Sequence, residues 1–426
     1  MLIRFTEGIR EMITEKLRKS AFWNNLMCWD LILLALVVNV STGASSVAVG
    51  LGALIVLMQY FFTREIPGFD KGIGKVFVLY FSLQMLSAAL SLDPGESFRM
   101  LRGEFHRFFI LFFALMYLKD KKQIGNVLLA FVFSTFFNDA EAFRQGLQSG
   151  FNDRAVIVGF NNSHTLFASQ CLVGLPAALF AAFYSYTEKW KKYFSLFTAI
   201  FTVVVIFISG ARGAWVALAV FTVMFVLLTR VNLKMIAAAL VVMVSLTAGA
   251  VAFLPWMQNH AATIIDIRHR MNTERILMWE SALQIIRDYP LHGIGQDIFG
   301  YQYNTKYISP LAQERAPEGH PEKGHGHPHN YILKITSEGG IIGLSAFLIF
   351  YGYLVYRLWC MYREEYGKEV IPCGMAGLLL FVGILAEGMT DTNMNQVPIM
   401  RAYLLSMGMY FAAWECRLAE SQIQEF

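Results

Sequence analysis

Along the chain, apolar residues gather into long runs separated by short polar stretches, a pattern that predicts packed helices rather than alternating strands. Twelve runs stand out, over 26–40, 44–62, 75–92, 105–118, 124–137, 164–184, 194–209, 213–229, 234–254, 330–357, 370–386 and 396–416. Most are about as long as a helix needs to cross the hydrocarbon core. They predict an all-α, polytopic membrane protein of about twelve transmembrane helices. Nine spans fall within 26–254, a large helix-containing loop over 255–329, three more spans within 330–416, and a tail over 417–426. Residues 1–25 read differently. Leu2, Phe5, Ile9, Met12, Ile13 and Leu17 recur at helical spacing between Arg4, Arg10, Lys16, Arg18 and Lys19. That is the pattern of a basic amphipathic helix resting on an anionic leaflet. No small-residue cleavage site follows it, so it is expected to be retained.

Composition strengthens the membrane reading. Of 426 residues, 56% are hydrophobic and 15% charged, whereas soluble domains carry about 25% charged residues. The net charge of +4 is modest; the placement of the cations says more. The termini and the even-numbered connections hold 20 Lys and Arg, while the short odd-numbered connections and adjoining span ends hold seven: Arg99, Arg102, Arg107, Arg144, Arg154, Arg212 and Arg401. By the positive-inside bias both termini are cytoplasmic and the 255–329 loop faces outward. Cys28, Cys171, Cys360, Cys373 and Cys416 all avoid the outward loops, so no disulfide framework is implied there. No nucleotide-binding signature is present, which argues against direct use of cytoplasmic ATP.

Polar chemistry gathers in the outward half. Arg212 lies in the tight turn Ile208-Ser-Gly-Ala-Arg-Gly-Ala-Trp215. Its planar fork suits phosphate oxygens, and Gly210 and Gly213 would let a ligand approach the backbone; a snorkelling interfacial Arg would look the same. Asn272 or Thr273 is expected to cap a helix that stops before Pro290, with Ile276, Trp279, Leu283 and Ile286 as its apolar stripe. Arg275 would then sit in the first turn, where a cation is disfavoured unless an anion is near. The segment Gly319-His-Pro-Glu-Lys-Gly-His-Gly-His-Pro-His-Asn330 places four His in a Gly/Pro loop, poor spacing for a preformed metal site. His329 abuts the tenth span, so a helix start would fix it at the bundle mouth, where an imidazole suits general-base work. Glu387 and Asp391, in the last outward turn, could orient His329 or pair with an Arg. Asp139-Ala-Glu141 is an outward Asp-x-Glu pair of the kind that can bind a divalent metal.

Three segments make the chain resemble the O-antigen ligase and O-antigen polymerase superfamily of polytopic membrane glycosyltransferases. They are Ser209-Gly-Ala-Arg-Gly-Ala214, Arg275-Ile-Leu-Met-Trp279 leading through Pro290 to Gly293-Ile-Gly295, and His327-Pro-His-Asn-Tyr331 followed by Glu338-Gly-Gly-Ile-Ile-Gly343. Asp391 followed by Val397-Pro398 resembles the family's last outward turn. The resemblance, over about 150–400, implies an inner-membrane enzyme with its active site at the periplasmic interface. It implies a glycan donor on a polyprenyl (undecaprenyl) diphosphate and inverting, metal-independent transfer with no cofactor. On this resemblance Arg212 and Arg275 would hold the diphosphate, His329 would be the base, and Asp391, His327 and Asn330 would support substrate binding.

Within the superfamily, the acceptor could be lipid A–core, a growing glycan or a protein hydroxyl. The second outward loop, 138–163, is small, which favours a ligase over a polymerase. The chain ends in a short tail rather than a long outward region, which disfavours the protein O-oligosaccharyltransferase. A transporter of solutes or lipid-linked glycans predicts ionisable groups at mid-depth; here they gather at the rim. Nothing suggests nucleic acid as a partner.

Overall fold

The computed structural model describes residues 20–184, 186, 188–229, 249, 270–315 and 326–424. Among them the fold is all-helical. The bundle helices are α1 (Ser20–Val37), α2 (Thr42–Thr63), α3 (Lys71–Ala89), α4 (Pro94–Tyr117), α5 (Lys121–Gln148), α6 (His164–Phe183), α7 (Lys189–Ser209) and α8 (Arg212–Leu228). Then come α9 (Arg270–Asp288), the short α10 (Phe299–Gln302) and α11 (Pro310–Arg315), and finally α12 (Tyr331–Glu365), α13 (Cys373–Gly388) and α14 (Val397–Gln424). Each apolar run but one coincides with a helix; the ninth, 234–254, save for Gly249, and the amphipathic segment 1–19 lie outside the described residues. Six described helices, α1, α2, α3, α6, α7 and α12, are long and apolar enough to cross a membrane, and α8 and α13 are shorter apolar helices. Several apolar helices in one bundle are the build of a polytopic membrane protein.

Boundaries differ from the sequence expectation where polar residues ride on a continuing helix. The first helix already runs at Ser20, and the last continues through Gln424 rather than ending at 416. Segments 94–104 and 138–148, expected as loops, are helical turns of α4 and α5. For α4 the reason is local: Asp93 accepts from the Glu96 amide at 3.0 Å, and Pro94 sits where its missing N–H costs nothing.

The core forms around α6, which is apolar on all sides and packs on α5, α7, α8, α13 and α14. Small residues set the close approaches. A Cβ at Gly174 would come within 2.5 Å of Thr135, and one at Gly374 within 2.2 Å of the Leu358 carbonyl. All five cysteines are free.

The element that positions the site is the break in α12. Gly340 adopts φ 59° and ψ −159°, so the helix bends there and its hydrogen-bond ladder opens. The loop after α9 fills the gap. Ile294 and Gly295 amides donate to the carbonyls of Ser337 and Glu338 at 3.0 and 2.9 Å. The amides of Ile341 and Ile342 donate to Pro290 and Leu291 at 2.9 and 3.1 Å. Broken backbone is tolerable at this depth only when another segment satisfies it. The close fit explains the glycines: a Cβ on Gly293 would sit 2.4 Å from the Glu338 backbone, and one on Gly340 would sit 2.4 Å from the Leu291 carbonyl.

Candidate active site

Helix α9 stands against this broken helix. Met278, Ala282 and Ile285 are buried with Ile294, Phe299, Tyr303 and Tyr307, forming a small core of their own. Ser281 Oγ joins it, donating to the Tyr307 carbonyl at 2.7 Å. The expected stripe is therefore rotated: Ile276 and Leu283 are exposed, and the buried face is the one that meets the tyrosines of the following turns. The expected cap is also corrected. The helix already runs at Arg270, so Arg275 lies beyond the first turn and the dipole argument for it falls away.

His329 is held tightly. Asn330 caps α12, its side-chain oxygen accepting from the Leu333 amide at 3.0 Å, while its Nδ2 donates to the Met389 carbonyl at 3.2 Å. Trp279 Nε1 donates to the Pro328 carbonyl at 2.9 Å. Between these two anchors His329 adopts φ 47°, a left-handed conformation that costs a non-glycine residue about 1 kcal/mol or more. The anchors over-determine it, and the result aims the ring at Asp391, with Nδ1 3.4 Å from Oδ1.

Arg212 arrives by a different route. Gly210, at φ 68°, ends α7, and Arg212 is the first residue of α8, whose start has no side-chain cap. A helix start offers backbone N–H groups and a partial positive charge to an anion. Gly210 and Gly213 both line the site cavity, and Gly213 also sets a close approach. A Cβ there would sit 2.2 Å from Thr390 Oγ1, so Gly213 lets α8 approach the last turn.

These pieces surround one cavity of about 310 Å³. Its lining includes Arg212, Arg275, His329 and Asp391, so four residues from four separate segments meet. Burial pushes the Asp391 carboxyl up, but its contact with His329 outweighs this and holds it below the ordinary carboxylate range. Burial pushes the Arg275 guanidinium down, opposed by the charge of Asp391. The Asp391 carboxylate thus faces both His329 and Arg275. His164, Thr165 and Glu274 also line it. Sequence reasoning missed all three; the signal for His164 was its place beside a cap, Ser163, at a helix start, as His329 stands beside Asn330.

Other candidates separate. Asp139 is buried and accepts from Thr202 Oγ1 at 2.5 Å and Cys171 Sγ at 3.3 Å, whereas Glu141 pairs with Arg144 at 2.6 Å. Two residues apart on one helix, they face different ways and form no metal pair. Glu387 is a buried anchor at the cavity wall, accepting from Ser169 Oγ and Asn393 Nδ2 at 2.6 Å each. His327 joins the site: its Nδ1 accepts from the His329 amide at 3.4 Å, and ligand atoms of His327, His329 and Asp391 lie within 4.8 Å of one another, close enough to share a cation. His320 and His325 lie outside the described residues.

No curated protein matches the chain. Residues 197–348, from α7 past the break in α12, match the family model described as O-antigen ligase. The match takes in Arg212, Arg275 and His329 and ends before Asp391. Over residues 197–348 the chain is thus similar to the O-antigen ligase family.

Proposed function

We propose that the protein is an O-antigen ligase of the bacterial inner membrane that moves a glycan from a polyprenyl diphosphate to a hydroxyl of lipid A–core on the periplasmic side. The observation that carries this reading is the meeting of Arg212, Arg275, His329 and Asp391 in one cavity. A sugar diphosphate is already activated, so transfer needs two things: a proton acceptor for the incoming hydroxyl and counter-charge for the leaving diphosphate. His329 supplies the first. With Nδ1 turned to Asp391, its Nε2 is the nitrogen available to a substrate, in the logic by which a carboxylate orients a catalytic imidazole. As the acceptor oxygen bonds to the anomeric carbon from the opposite face, its proton passes to Nε2 and the bond to the diphosphate oxygen breaks, with inversion. Arg212, Arg275 and the start of α8 take up the charge that develops on the diphosphate. No cofactor or metal is required in this scheme. The outward position of the site rests on the distribution of Lys and Arg.

The test is a transfer assay with purified protein, polyprenyl-diphosphate glycan and lipid A–core, with and without EDTA. His329→Ala is expected to lower transfer by roughly 10²–10⁴-fold while the protein still inserts and folds, and EDTA is expected to change little. Wild-type rates in the His329 variant would remove it as base, and loss of activity in chelator would point to a metal on His327, His329 and Asp391. Glycan extension in the absence of lipid A–core would identify a polymerase instead.

A further inference from the structure

Two of the outward arginines named by the sequence, Arg107 and Arg401, meet the bundle around the start of α14, outside the cavity lining. Arg107 Nη1 donates to the carbonyl of Asn395 at 2.8 Å, in the turn that leads into α14. The turns of α4 that precede Arg107 therefore stand at the level of the helix ends, and they carry exposed Arg99, Arg102 and His106. Arg401, near the start of α14, donates through Nη1 to the Thr42 carbonyl at 2.9 Å and to Ser45 Oγ at 2.7 Å, both at the start of α2. Its Nε is buried with no hydrogen-bond partner among the described residues.

Both side chains thus meet the bundle around the start of α14, Arg107 from α4 and Arg401 from the first turns of α14 itself. Nearby carboxylates do not neutralise them. Glu96 is ion-paired with Arg99. Glu104 attracts Arg107 from a distance but accepts its hydrogen bond from Tyr80 at 2.5 Å. Among the described residues, neither Arg107 nor Arg401 forms an ion pair. Guanidiniums that form no ion pair are costly at a membrane rim, and the outward side is where cations are otherwise sparse. Above Arg107, one turn earlier on the same face of α4, a side chain at Gly103 would meet nothing within 4 Å, so that face of α4 is open beside Arg107. Along α2, below Thr42 and Ser45, Val47, Leu51 and Leu54 are exposed at helical spacing, the kind of surface that acyl chains cover.

We propose that Arg107 and Arg401 form a second anion site, distinct from the cavity, that binds a phosphate on the headgroup of a phosphorylated glycolipid in the outer leaflet. It deepens the proposed function, on which it rests, by assigning recognition of the acceptor lipid to the α2–α4–α14 rim while the donor diphosphate takes Arg212 and Arg275. Two guanidiniums held around the start of one helix match phosphate oxygens, and the exposed apolar face of α2 fits the chains beneath. The Arg107 contact with Asn395 joins this site to the turn that bears Asp391, so the two substrates would meet from either side of that turn.

The test uses the full-length protein in phosphatidylcholine nanodiscs, with binding of bisphosphorylated lipid A followed by native mass spectrometry. Its dephosphorylated counterpart and inorganic phosphate serve as the other probes. Arg107→Gln and Arg401→Gln keep a donor for the carbonyl contacts but lose the charge, and each is expected to weaken binding by about ten-fold, the scale of one charge-assisted hydrogen bond. Gly103→Phe fills the open space without touching the bundle and is expected to weaken binding as well, which keeps the test valid if an Arg variant misfolds. Arg212→Ala and Arg275→Ala are expected to bind lipid A like the wild type. Equal affinity for the dephosphorylated lipid, wild-type binding by the folded Arg and Gly103 variants, or displacement by millimolar inorganic phosphate would overturn the proposal. Lipid A binding that depends on Arg107 and Arg401 in a protein that transfers no glycan to it would sink the ligase reading and leave this site standing.

Discussion

At the scale of single residues, the site works through shared partners rather than isolated strong groups. Asp391 faces both His329 and Arg275, so its charge counts twice. Its carboxyl is held below the ordinary range, which fixes the sign of its contribution to stability. That contribution is complete above the usual Asp value, near pH 4, and is lost as pH falls through the lower folded value. Asp391→Asn should therefore flatten the acid limb of a detergent unfolding curve below about pH 4. A limb as steep as the wild type's would mean that other carboxylates carry it. The two Arg should separate kinetically from the base. Arg275→Ala and Arg212→Ala are expected to lower transfer by about 10²–10³-fold, as for loss of one donor to a developing anion, with weakened donor binding that His329→Ala does not share. Unchanged donor affinity in both variants would make them structural.

The elements show where sequence patterning reads well and where it stops. Apolar runs located the helices because burial in lipid demands continuous apolar faces, and Asn330 was recognisable as a helix start because capping is local chemistry. The rotated face of α9 was not legible. Its partners, Tyr303 and Tyr307, lie a turn-rich segment away, and a helix with apolar residues on two faces does not announce which one finds a partner. Nor could the pattern show α4 and α5 running on beyond their apolar stretches. The break in α12 was written as Glu338-Gly-Gly340, yet only the fold reveals that Gly340 takes a conformation and a contact closed to other residues. Gly340→Ala should lower stability by at least about 1–3 kcal/mol, read as thermal unfolding in detergent. Gly343→Ala, whose Cβ would meet the Ile335 carbonyl at an ordinary 3.5 Å, should change it little. Equal effects would place the break elsewhere.

For the molecule as a whole, the resemblance already assigned Arg212, Arg275, His329 and Asp391 to one site, and the fold shows the packing that gathers them around one cavity, with α8 lying against the last turn at Gly213 and Thr390. His164 went unnoticed because a lone polar residue at a helix start is common in any membrane bundle. Orientation can be checked directly. In a background lacking the five native cysteines, Asn152→Cys, exposed at the end that bears the cavity, should react with a membrane-impermeant maleimide in cells whose outer membrane alone is opened. Lys368→Cys, exposed at the opposite end, should react only after the inner membrane is permeabilised. The reverse labelling would turn the protein over and remove the periplasmic site.

The four backbone hydrogen bonds between 290–295 and the open stretch of α12 reach beyond the positioning of a loop. Extramembrane segments usually loosen before the helices they join. Here α12 lacks a complete ladder without the segment, and the segment lacks a seat without the bend. Neither half can melt first without exposing unpaired amides at membrane depth. The cavity wall and the bundle are thus one cooperative unit, and damage to either is felt as loss of both.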